Sequence, residues 1–125
     1  MKAWTVAAGI ALIGTLASGS AMALDGNGLL SACQMTIRFS DGDKNVSAAD
    51  VGQCSGIVEG VEGAIFVLND SVGPNMKTCY PPNGTTNIQK VRIVVKYMLE
   101  HPDQLHLPAA ALTLISYMGA FPCKK

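Results

Sequence analysis

The feature that most constrains this chain is its set of four cysteines, Cys33, Cys54, Cys79 and Cys123, all lying beyond an N-terminal stretch built for export. Lys2 supplies a positive charge, Ala3 to Ala17 an apolar run, and Ala21-Met22-Ala23 an A-x-A cleavage signal. The run is broken by Gly9, Gly14 and Ser18 and falls short of the ~20 residues a membrane span needs. Residues 1–23 are therefore expected to be a cleaved signal peptide, and residues 24–125 the mature domain, with no span left after cleavage. An even number of cysteines behind an export signal points to two disulfides. Zinc is the competing use, but its ligands come in close pairs, whereas the nearest spacing here is 21 positions. Neither a metal nor a cofactor is expected.

The mature part has room for one domain of about 100 residues and one modest core. Removing Lys2 leaves eight basic residues against nine acidic ones, a net charge of −1, so nothing favours a nucleic-acid partner. The single Trp, Trp4, departs with the leader. A mature binding surface must then use Tyr80, Tyr97, Tyr117, methionines and charged groups.

Apolar periodicity predicts four helices and no strand of useful length, an all-α domain. Leu29, Leu30, Cys33 and Ile37 give a first helix over about Gly26 to Phe39, broken by Ser40 to Asn45. Ser47-x-x-Asp50 opens a second, with the apolar line Val51, Cys54, Val58, Val61, Ile65 and Leu68. Its glycines cost helix stability at about 1 kcal/mol each relative to Ala. Because Gly52, Gly56, Gly60 and Ala64 fall four apart, they are expected to form a smooth strip for close helix packing. Asp70 to Thr85 is a loop, marked by Gly73-Pro74, Pro81-Pro82 and Asn83-Gly84. Thr86-x-x-Gln89 caps a third helix ended by His101-Pro102. Ile88, Val91, Val95 and Met98 line one side of it, while Ile93 and Tyr97 line the other and suggest a homodimer face. The fourth helix starts with Pro108 at its first position and runs through Leu112, Ile115 and Met118 to Gly119.

Four cysteines allow three pairings. Cys33 ends the first helix and Cys54 begins the second, so an antiparallel hairpin brings them together, leaving Cys79 for Cys123. Pairing Cys54 with Cys79 would make the loop retrace most of the second helix, about 20 Å at ~1.5 Å per residue. The expected bridges are worth about 3 and about 4 kcal/mol in chain entropy.

Catalytic chemistry has little to work with. His101 and His106 flank a proline turn and fit the role of framing the third and fourth helices. Glu59 and Glu62 lie on neighbouring turns and fit a solvated helix face. Bridged cysteines offer no thiolate. A non-enzymatic binding protein is the expected class.

Taken in order, Cys54-Ser55-Gly56-Ile57-Val58-Glu59-Gly60-Val61, Cys79-Tyr80-Pro81, Gln89 with Val94 to Tyr97, His101-Pro102 and Phe121-Pro122-Cys123 resemble the Rap/Tai family of periplasmic immunity proteins. The resemblance spans nearly the whole mature domain and is specific in its ordered combination. Two residues depart from it, Ile57 where the family favours an aromatic and Glu62 where it favours Asp. It implies an all-helical periplasmic homodimer that neutralises a peptidoglycan amidase delivered by type VI secretion, by blocking the enzyme's cleft. The positions that carry over are structural: the four cysteines, Gly56, Gly60 and Pro102. The loop from Asp70 to Tyr80 is the candidate contact segment, through Asn75, Met76, Lys77 and Tyr80, with an ordinary connection as the equal alternative. The competing function is a periplasmic stress chaperone similar in plan to the HdeA-like acid chaperones, with no effector partner. Such a chaperone opens or dissociates reversibly between pH 7 and 2, through its carboxylates and two histidines.

Overall fold

The computed structural model describes residues 23–124. Apart from Ala23, the expected leader, Trp4 included, lies outside the described residues. Four α-helices follow: α1 (Gly26–Ser40), α2 (Ala48–Leu68), α3 (Asn87–Glu100) and α4 (Ala109–Ala120). Among the described residues there is no strand, only isolated bridges of Asp25 with Pro108 and Thr78 with Pro122.

Each helix starts where an oxygen can satisfy otherwise unpaired amides. Asp25 Oδ1 accepts from the Gly28 N–H at 3.0 Å, which holds this carboxyl below its ordinary range. Ser47 caps α2 through the Asp50 N–H, and Thr86 and Gln89 form the full reciprocal box at α3. Pro108 corrects the expectation for α4: it lies one residue before the helix, in extended backbone. Its carbonyl accepts from Leu112, and the Asp25–Pro108 bridge ties it to the start of α1.

The core sits among all four helices, with Leu29, Cys33, Cys54, Val58, Val91, Val94, Met98, Leu112 and Tyr117 fully buried. Cys33 is joined to Cys54, and Cys79 to Cys123, the pairing expected from the hairpin. On α4, Ile115 and Met118 are only half-buried, and Thr113, Ser116 and Tyr117 face inward instead. Their hydroxyls make this possible. Thr113 donates to the Ala109 carbonyl, Ser116 to that of Leu112, and Tyr117 across to Val58 at 3.0 Å.

The glycine strip is a second correction. Gly52, Gly56 and Gly60 are exposed, and a Cβ built on any of them meets nothing within 4 Å, so no helix of this chain packs there. The glycine that close approach requires is Gly26, where a Cβ would lie 2.4 Å from Leu112 Cδ1 and 2.8 Å from the Leu105 carbonyl. The helical stretch Ala48–Ser71, α2 with the single turn that follows it, is long and apolar enough to cross a membrane by length and composition alone. It is, however, bridged to α1 and carries Asp50, Glu59 and Glu62.

Candidate partner-binding surface

The expected contact loop follows α2 and contains two single 3-10 turns, Asn69–Ser71 and Pro74–Met76. Its conformation is set by backbone and amide bonds. The Asn69 side chain donates to the Thr78 carbonyl at 3.1 Å and accepts from the Thr78 N–H at 3.0 Å, closing the loop at its neck. Past the neck, the Cys79 N–H donates to the Phe121 carbonyl at 2.8 Å, beside the Cys79–Cys123 bridge. A loop tied at both sides loses little entropy on binding.

Of the four residues expected to project from it, Asn75 and Met76 are exposed, and Lys77 is half-buried with its ammonium 3.9 Å from Asp70. Tyr80 turns inward, which corrects the expectation for it. Its ring packs against Phe121 at 5.1 Å and edge-on to Tyr117 at 6.1 Å. Burial, then the charge of Glu62, pushes its hydroxyl up to about 12, and burial raises Tyr117 further.

Beside the loop, α2 and α4 leave an apolar groove of about 300 Å³, lined by Val61, Ile65, Leu68, Met76, Ala111 and Leu114 among others. Phe66, 87% exposed, lies on another side of α2, beside Glu59, Glu62 and Lys90. Met76, half-exposed, belongs to both loop and groove. Loop and groove thus form one continuous face, mostly apolar with polar edges. Such a face suits a protein partner rather than a small charged substrate.

The other expected sites lie elsewhere. Ile93 and Tyr97 are half-buried at a hollow between α3 and α4, so part of this second side is used within the chain. Tyr97 donates to Gln104 at 2.8 Å and stacks on His101 at 4.0 Å, and the His101 Nδ1 lies 2.8 Å from the Tyr97 carbonyl. His101 therefore ends α3 as a framing residue, and His106 is exposed. Glu59 is solvated, but Glu62 pairs with Lys90, a lysine only 5% exposed. That pair escaped the sequence reading. Its signal is the four-residue spacing of Lys90 and Val94, which puts both on the buried side of α3.

Among the described residues no group of three or more His, Cys, Asp or Glu side chains could hold a metal. The family model of the Rap1a immunity proteins matches residues 25–123. No curated protein and no solved structure matches the chain.

Proposed function

Because the chain belongs to the Rap1a immunity protein family, whose members guard against a secreted effector, we propose that it neutralises a peptidoglycan amidase delivered by type VI secretion. It does so by covering the enzyme's active-site cleft in a stoichiometric complex. The observation that carries this reading is the family match, which runs from the first capping residue of α1 to the last cysteine. Families of this kind are generally non-enzymatic and typically periplasmic, in keeping with two disulfides and an export-type N-terminus. Leu24 takes part in the fold, its carbonyl accepting from Ala109 at 2.8 Å, in keeping with a mature chain that would begin there.

In this reading the loop from Asp70 to Tyr80 and the adjoining groove meet the amidase, Asn75 and Met76 making the outermost contacts. Two disulfides pre-organise the surface. The protein acts as a homodimer, and a mass corresponding to a monomer at micromolar concentration would remove that element alone. The test is to titrate the cognate amidase with mature protein while following peptidoglycan hydrolysis. Loss of activity at one chain per enzyme is expected, and undiminished hydrolysis in excess protein contradicts the proposal.

A further inference from the structure

The two disulfides occupy opposite surroundings. Cys33 and Cys54 are completely buried, whereas Cys79 is exposed and Cys123 half-buried. Thiol–disulfide exchange requires a thiolate to reach a sulfur, so the inner bridge reacts only after the core opens. What each opening exposes also differs. Around the inner bridge lie Leu29, Val58 and the rest of an apolar cluster, which resists wetting. Beside the outer bridge, the buried Thr78 Oγ1 has no hydrogen-bond partner, and water would satisfy it.

We propose that Cys79–Cys123 is a redox-responsive clasp on the loop, opened by dithiols under conditions that leave Cys33–Cys54 intact. One thiolate of the dithiol attacks a sulfur of the pair, forming a mixed disulfide and releasing the other cysteine as a thiolate that takes up a proton. The second dithiol sulfur then displaces the remaining cysteine. The protein gains two electrons and two protons as two thiols, and the dithiol leaves as its own disulfide. Opening removes the covalent tie between loop and C-terminal segment, leaving the Cys79–Phe121 backbone bond and the Thr78–Pro122 bridge to fray. The Asn69–Thr78 neck and the four helices stay in place. This selectivity depends on the bridges alone and stands apart from what the loop binds.

The test uses the oxidised mature protein under native conditions. Aliquots are treated with graded dithiothreitol, alkylated and mapped by mass spectrometry, with circular dichroism and amide exchange in parallel. Cys79 and Cys123 are expected to be alkylated at least about tenfold faster than Cys33 and Cys54. Helical signal should persist, and exchange should rise at the Cys79 amide while α1 and α2 remain protected. Simultaneous opening of both bridges, earlier opening of the inner one, or loss of helix as the outer one opens would overturn the proposal. The double variant Cys79→Ser with Cys123→Ser should fold with Cys33–Cys54 formed. If it does not, the outer bridge is a staple of the fold and the clasp is refuted.

Discussion

Both bridges hold their Cα atoms 5.0 Å apart, yet they do different work because of what surrounds them. The inner one joins α1 to α2 inside the apolar core, where Thr36, Thr113 and Ser116 bond their hydroxyls to helix carbonyls. The outer one ties to the chain's end the loop whose Met76 lines the groove. One end of the molecule is thus specified by packing and the other by a few discrete ties. The difference teaches that the closed end is scaffold and the open end is where a partner gains most by covering apolar surface.

That contrast can be broken at the inner end first. Cys33→Ala with Cys54→Ala should cost about 3 kcal/mol in chain entropy and about 1 kcal/mol more in lost packing, read as a lower midpoint in urea. A cost limited to the chain-entropy part, about 3 kcal/mol, would erase the distinction. Next, Glu62→Ala strands Lys90 with its charge buried, at about 3 kcal/mol, the low end for a buried pair because the Glu62 side chain is 34% exposed. Glu62→Leu combined with Lys90→Met should recover most of that loss. If the single variant melts like the wild type, Lys90 reaches water by another route.

A third change should act in the opposite direction. Gly56→Ala and Gly60→Ala, each adding a methyl into open space, should stabilise the isolated protein by about 1 kcal/mol apiece, with a higher melting temperature. Destabilisation instead would mean that another helix lies on this strip in solution. The smallest effect is alkaline. Tyrosine ionises near pH 10 when unfolded, and Tyr80 only near 12 in the fold, with Tyr117 held higher still. Their contribution is therefore complete below pH 10 and declines as the pH rises towards 12. Absorbance at 295 nm should show their ionisation coinciding with loss of helix; separate transitions would contradict the burial of this cluster.

The fold was legible wherever its signals are local. Caps at Ser47 and Thr86, the break before Pro102 and the hairpin pairing of Cys33 with Cys54 depend on neighbours in sequence. The misses share a tertiary cause. Four-residue spacing reveals a strip of glycines but not whether anything lies against it, and Gly26 matters only because Leu112 arrives from α4. Thr113 and Ser116 look too polar for a core until their carbonyl partners one turn back are counted. At the candidate site, the loop and its exposed Met76 could be read from turn residues, but Tyr80 turns inward because Phe121 and Tyr117 offer it a ring cluster. The groove depends on how α2 meets α4, which no local pattern encodes.

The central claim is that the open end does the binding while the closed end only holds it in shape. It is tested most directly by titrating the proposed amidase partner with the variant Asn75→Asp, Met76→Asp, whose changed residues are exposed and outside the core. The account predicts unchanged melting with inhibition weakened about a hundredfold, as expected for a lost apolar anchor and added charge at the interface. Inhibition equal to that of the wild type would contradict it.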